Sequence, residues 1–442
     1  MAAEARQLRR VLGTRDLVVY YVSSLVGAGM LIVPGIALEL AGPASLIAWG
    51  LLAMAAFPIA GVFARFSAEH PSAAGVSFLV RTAFGWRPGM VIGLLLVFLN
   101  WTTNPILGLA AARYLAALMG WQDHAVILLA GFAVMSLGVV LNMLGIRVAA
   151  GVQLVLVVTL IAGIVTVMTV AAPAADPARL TPFAPFGWGA IGAAVLAGFF
   201  SFFGWENVSH VADEVRDPRH SYPKAAVWAP AVIGVLYFSL ALVVVLVVPV
   251  TARTDKAAVL DAVLRFSVGD GAARVGSALA VVLLAVTTNA WVCGCSRLTY
   301  ALARDGILPR WIGQVSRRSG APTAALVFVW VWYLVDFAVL LVAGQDERIL
   351  VPFTAASILI VYVATFLAGL RLLRGRATRI LCGVALLAAS AFLLGGGMPS
   401  LLAGAAFLLT AVYVLLWGPA EPKSTPEPEP DPETPAGLRL PS

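Results

Sequence analysis

The chain has 442 residues, of which 61% are hydrophobic and only 12% charged, with a mean hydropathy of +0.95. Soluble proteins carry about 25% charged residues, so this composition excludes a soluble globular domain and indicates a polytopic membrane protein. The formal net charge of +7 does not point to nucleic acid, because the basic residues are scattered between apolar runs, as orientation in a bilayer requires.

The segment from Met1 to Arg10 is too charged, and the run after it too long, for a cleaved signal peptide. Spans of about 20 apolar residues then recur. They cover 17–40, 44–64, 90–112, 125–144, 151–171, 188–211, 226–250, 276–300, 322–343, 350–370, 380–394 and 401–416, the eleventh being the shortest. About twelve transmembrane helices are therefore expected in an all-α fold. Arginines crowd the loops on one side, among them Arg6, Arg9, Arg10, Arg65, Arg81, Arg147, Arg216, Arg219, Arg304, Arg371 and Arg374. That bias places both termini in the cytoplasm and agrees with an even number of crossings. A short amphipathic helix on the outer surface is expected over 256–266, and residues 419–442, rich in Pro and Glu, are expected to be disordered.

Two apolar runs are interrupted. The first carries Ser23-Ser24-Leu25-Val26-Gly27-Ala28-Gly29-Met30, with Pro34 after it. The sixth carries Phe199-Phe200-Ser201-Phe202-Phe203-Gly204-Trp205-Glu206-Asn207. Glycine lets a helix open and leave backbone groups free, and a carboxylate at mid-membrane must face a cavity or a partner. Paired interruptions five helices apart are the sequence pointer to a transporter built from two five-helix inverted repeats. Half-helix N-termini offer N–H groups and a positive dipole end to a carboxylate, and freed carbonyls can take an ammonium. Close packing is the competing explanation for Gly27 and Gly29, and the matched break beside Glu206 argues against it.

Gly27-Ala28-Gly29-Met30-Leu31-Ile32-Val33-Pro34 resembles the first-helix motif of the amino acid–polyamine–organocation (APC) transporters. Phe203-Gly204-Trp205-Glu206 with Glu214, Asp217-Pro218-Arg219 and Tyr222-Pro223-Lys224-Ala225 resembles the sixth helix and following loop of that family. Ala303-Arg304-Asp305-Gly306-Ile307-Leu308-Pro309 resembles its eighth-helix exit, and His70-Pro71-Ser72-Ala73-Ala74-Gly75-Val76 the loop after helix two. Tyr362 with Leu367-Ala368-Gly369 looks closest to bacterial exporters of methionine and branched-chain amino acids.

The resemblance implies an amino-acid transporter of the cytoplasmic (inner) membrane working by alternating access. It implies a substrate carboxylate on the amides around Gly27, Ala28 and Gly29, and an ammonium at carbonyls near Val26, Phe200 and Phe203, beside Gly204. Trp291 matches an aromatic that closes over the side chain in arginine-exchanging relatives. Asn104 matches a polar pocket residue, though beside Pro105 it equally suits a tie between helices. Ala28 stands where many relatives have a hydroxyl, which removes one hydrogen bond. The implied layout is a cytoplasmic segment 1–16, a ten-helix core 17–371, helices eleven and twelve over 372–418, and the tail 419–442.

Phe200, Phe203, Trp205 and Trp291 favour a medium apolar amino acid over a cationic one, which would lack a partner. Glu206, desolvated at mid-membrane, is the candidate proton-coupling group. A sodium-coupled importer using Thr287 and Thr288, or an exchanger of polyamines or basic amino acids, stays open. Threonines in membrane helices usually bond their own backbone. Asp336 suits a structural or interface role, and Arg113 a snorkelling one. Cys293, Cys295 and Cys382 sit in apolar runs and the four histidines stand alone, so no metal, cofactor or catalytic residue is expected. A membrane-embedded enzyme would need a nucleophile–base pair, which is not evident. The expected partners are an amino acid, a proton and the lipid bilayer; oligomeric state, a homodimer included, stays open.

Overall fold

The computed structural model describes residues 13–69, 75–144, 150–206, 215–250, 258–304, 308–316 and 321–418. Among these, all regular elements are helical, and nine helices are long and apolar enough to cross a membrane by length and composition. The first apolar run is cut into α1 (Thr14–Leu25) and α2 (Ala28–Ala41). A turn at Gly42–Ala44 leads to α3 (Ser45–Glu69), and α4 (Gly75–Phe84), α5 (Trp86–Met119), α6 (His124–Met143) and α7 (Ala150–Ala171) follow. The sixth run forms α8 (Ala190–Phe199) and one 3-10 turn, Phe200–Phe202. After it come α9 (Pro218–Val247), α10 (Val259–Ser267), α11 (Asp270–Arg304) and α12 (Thr323–Ala343). The last elements are α13 (Glu347–Leu372), α14 (Arg376–Leu394) and α15 (Met398–Trp417).

Several helices outrun their apolar segments. The 34-residue α5 and the 35-residue α11 extend about 50 Å each, well past a hydrocarbon core of about 30 Å. Hydropathy marks only the stretch that prefers lipid, whereas the backbone goes on hydrogen bonding into the polar zone.

Two apolar clusters dominate the described interior. The larger is built from α2, α3, α8, α9 and α13, with α2 lying on α8 and α3 on α9. The smaller joins α5, α6, α11 and α12 around Trp101, Met135, Tyr333 and Phe337. Gly108 of α5 makes the α5–α6 crossing possible, since a Cβ there would stand 2.6 Å from the Gly131 carbonyl oxygen. In contrast, α15 buries only Ala403 and Val414, so most of its surface is left for lipid.

Two sequence expectations change. The helix expected to lie on the surface is α10, and its first six residues, Val259 to Leu264, are buried. Its Leu260 N–H donates to the Tyr114 hydroxyl (3.1 Å), which in turn donates to the Leu31 carbonyl of α2 (2.7 Å). Its apolar face is covered by α11, α7 and α9 instead of by a membrane interface. The second change concerns Arg113, which does not snorkel to water. It is 8% exposed, and its guanidinium donates to Glu347 (2.7 Å) and Asp346 (2.6 Å). Arg348 extends the network, donating to Asp346 (2.8 Å) and to Glu39 at the end of α2 (2.9 Å). Burial pushes the Asp346 carboxyl up, but Arg348 and Arg113 beside it outweigh that and hold it below the ordinary carboxylate range. One network therefore ties α2, α5 and α13 at the same end of the bundle.

The expected N-terminal segment up to residue 12, the loop 70–74, residues 207–214, Lys256, residues 305–307 and the tail 419–442 lie outside the described residues.

Glu347 is fully buried, so removing its cation strands a charge in an apolar setting. Arg113→Met should lower unfolding stability by about 3–5 kcal/mol, read as thermal unfolding of the purified protein. Arg113→Met combined with Glu347→Leu should recover most of that loss. A double variant as unstable as the single one would show that the ion pair is not what Arg113 supplies.

Candidate functional site

The break in the first run follows from backbone geometry. Val26 is extended (φ −80°, ψ 107°) and Gly27 more so (φ −163°, ψ −142°), which ends α1 and restarts the helix at Ala28. The first turn of a helix has no intrahelical acceptors for its N–H groups. Here that turn comprises Ala28 and Gly29, and Met30 N–H closes a tight bond to the Gly27 carbonyl (3.0 Å). The C-terminal carbonyl of α1 is served from outside: the buried Tyr237 hydroxyl of α9 donates to Leu25 at 3.1 Å.

In the sixth run the 3-10 turn loosens before it ends, since Phe203 N–H reaches the Phe200 carbonyl only at 3.5 Å. Phe203 is extended (φ −83°, ψ 138°). Gly204 then adopts φ +125°, a conformation that side chains disfavour, so glycine is required at that position. Trp205 is fully buried with its ring 5.5 Å from Tyr21 of α1, which makes it packing between the two broken segments and not a pocket wall.

The two breaks meet. A Cβ on Gly29 would stand 2.8 Å from the Ser201 hydroxyl and 3.0 Å from the Ser201 Cα. Around Gly27, by contrast, a Cβ would find nothing within 4 Å. The first-helix break thus has one glycine pressed onto the sixth-run segment and another beside open space. Ser201, 1% exposed, places its hydroxyl at this junction, beside the buried Tyr237 hydroxyl.

Glu206, 8% exposed, sits just beyond. Its Oε2 accepts from the hydroxyl of Tyr362 of α13 at 2.6 Å. Aromatic rings enclose that tyrosine: Phe63 at 4.9 Å and, edge-on, Phe199 at 5.8 Å. The pair lies in apolar surroundings, where a charge-assisted hydrogen bond is strong and its loss costly.

Val26, Gly27, Ala28, Gly29, Phe200, Phe203, Gly204 and Glu206 are therefore brought to one junction of the main core. Half-buried Trp291 of α11 packs against the same core. Asn104 is placed differently: its amide donates to the Tyr333 hydroxyl of α12 at 2.7 Å, the geometry of a tie between helices. Thr287 and Thr288 donate to the Leu283 and Leu284 carbonyls one turn earlier. Asp336 keeps one buried oxygen unpartnered on α12, in the smaller cluster's half of the bundle. Ser201, Tyr237 and Tyr362 have roles that the sequence reading did not assign. Ser201 and Tyr237 gave only a single hydroxyl in an apolar run, and Tyr362 only a family resemblance.

The glycine geometry separates two substitutions. Gly29→Ala must push apart two backbones and should cost about 1–3 kcal/mol of stability. Gly27→Ala should leave the melting temperature nearly unchanged. Equal melting behaviour of the two variants would contradict the close approach of Gly29 to Ser201.

Comparison with known proteins agrees with this architecture. Residues 12–429 match the amino acid permease family. The chain is 28% identical to the L-methionine/branched-chain amino acid exporter YjeH of Escherichia coli over 84% of its own length and 88% of the relative. It is 28% identical to the amino acid permease YecA of Bacillus subtilis, covering 80% of this chain and 83% of that one. For the branched-chain amino acid permease BcaP of Lactococcus lactis the identity is 25%, over 76% and 78%. A family match spanning nearly the whole chain, on an all-helical bundle with two interrupted helices, makes this protein a member of the amino acid permease family, a transporter and not an enzyme.

Proposed function

We propose that this permease moves a neutral apolar L-amino acid across the bacterial cytoplasmic membrane by alternating access, with proton coupling through Glu206. In this reading α1 and α2 form one crossing, α8 with the segment after it forms another, and the chain crosses about twelve times with both termini in the cytoplasm. Crossings one to five and six to ten form two inverted repeats, with helices eleven and twelve appended. The observation that carries the proposal is the meeting of the two breaks at Gly29 and Ser201, with open space at Gly27 and the buried Glu206–Tyr362 pair adjoining.

The amides at the start of α2 suit a carboxylate, and the nearby Ser201 hydroxyl can supply the hydrogen bond that Ala28 cannot. Phe200 and Phe203 give the junction apolar surface, half-buried Trp291 packs against the same core, and names of relatives that carry methionine and branched-chain amino acids support the same class. Ionised Glu206 accepts from Tyr362. Protonated, it gains a donor of its own and can release or re-aim that bond, so proton uptake alters the link between the sixth-run segment and α13. The Thr287 and Thr288 hydroxyls of α11 donate to their own backbone one turn earlier.

A ligand panel read by thermal shift tests the substrate class. At about 100 times its dissociation constant, leucine or methionine should add roughly 2.7 kcal/mol of apparent stability, and arginine much less. Stronger stabilisation by arginine overturns the substrate class. In liposomes, Glu206→Gln should retain ligand binding yet lose the pH dependence of transport. An unchanged pH profile assigns Glu206 a structural role.

A further inference from the structure

At the end of the bundle away from the Arg113 network, a cavity of about 600 Å³ is lined by Arg65, Ala68, Glu69, Arg219, Leu372 and Arg374. The lining comes from the end of α3, the start of α9 and the chain just after α13. Among the described residues none of the three arginines forms an ion pair. Orientation in a bilayer asks only for cations near helix ends. It does not ask three guanidinium groups from distant parts of the chain to face one hollow. Among the described residues that line it, the charged groups are three positive against one negative, a net of +2. Acting alone, a carboxylate can orient one arginine but cannot neutralise three.

We propose that this cavity binds a phosphate group, carried on the headgroup of an anionic phospholipid or free in solution. Guanidinium forks match phosphate oxygens in pairs, so three arginines around one hollow suit a group with several anionic oxygens. Basic pockets between transmembrane helices on the cytoplasmic side take acidic lipid headgroups, and the leaflet there is anionic. That placement rests on the orientation proposed above, whereas binding itself does not. Because α3, α9 and α13 also hold the partners of the two breaks (Tyr237 on α9, Tyr362 on α13), an occupant bridging them steadies the scaffold around which the broken segments move.

The test uses the purified full-length protein in detergent, where sidedness plays no part. Thermal stability and native mass spectrometry are followed with a short-chain phosphatidylglycerol, a matched phosphatidylcholine and inorganic phosphate. Phosphatidylglycerol should stabilise the protein and phosphatidylcholine should not. Arg65→Gln with Arg374→Gln should weaken that binding by about thirtyfold. Arg376→Gln with Arg379→Gln, on α14 and outside the cavity, should leave it unchanged. Stabilisation by phosphatidylglycerol alone assigns a lipid headgroup, and equal stabilisation by inorganic phosphate at the same arginines assigns a free anion. Equal binding of phosphatidylcholine, or undiminished binding by the Arg65/Arg374 variant, overturns the proposal. Labelling of a cysteine placed at position 219 in sealed cells checks the orientation separately, so a failure of one reading is not mistaken for a failure of the other.

Discussion

A backbone inside a bilayer has to satisfy its own N–H and C=O groups, and this chain breaks that rule twice at one place. Both interruptions could only be tolerated where protein covers them, and each recruits side chains for that purpose. Tyr237 takes the end of α1, and Tyr362 holds the acid that follows Gly204. The remaining backbone donors, on Ala28 and Gly29, have a helix dipole behind them and the Ser201 hydroxyl close by. On the function proposed above, what is left unsatisfied is what a small zwitterion would complete.

The same economy explains the far end of the bundle. Five charged residues from three helices, Glu39, Arg113, Asp346, Glu347 and Arg348, lie close to the larger apolar core. Buried pairs of this kind contribute little net stability compared with apolar residues of the same size, because desolvation offsets attraction. Their effect is on register, since misplacing α2 relative to α13 leaves a charge without a partner. The broken first helix lacks a continuous ladder of hydrogen bonds to fix its second half, and this network supplies a fixed point for it.

Much of the architecture could be read from the chain. Apolar runs locate helices because lipid imposes a length, and glycines beside polar residues in such runs locate breaks. What could not be read was pairing across distance. Glu206 and Tyr362 are 156 positions apart, Asn104 and Tyr333 229, and Arg113 and Glu347 234. Hydropathy scores each residue against lipid and carries no term for another residue. Arg113 therefore looked like a snorkelling side chain, and the apolar face of α10 looked like a membrane-surface one. Both satisfy the same sequence pattern as their actual roles; only the neighbours decide.

One oxygen joins two parts of the molecule that sequence keeps far apart. The Tyr114 hydroxyl gives its proton to Leu31 in α2 and its lone pair to Leu260 in α10. A hydroxyl has one proton, so its orientation cannot serve the two ends independently. If α2 tilts and Leu31 withdraws, the hydroxyl turns towards another acceptor and the N-terminal turn of α10 loses its anchor. The start of α10 is thereby tied to the position of a helix deep inside the bundle, so a change at Leu31 is felt 229 positions along the chain at Leu260.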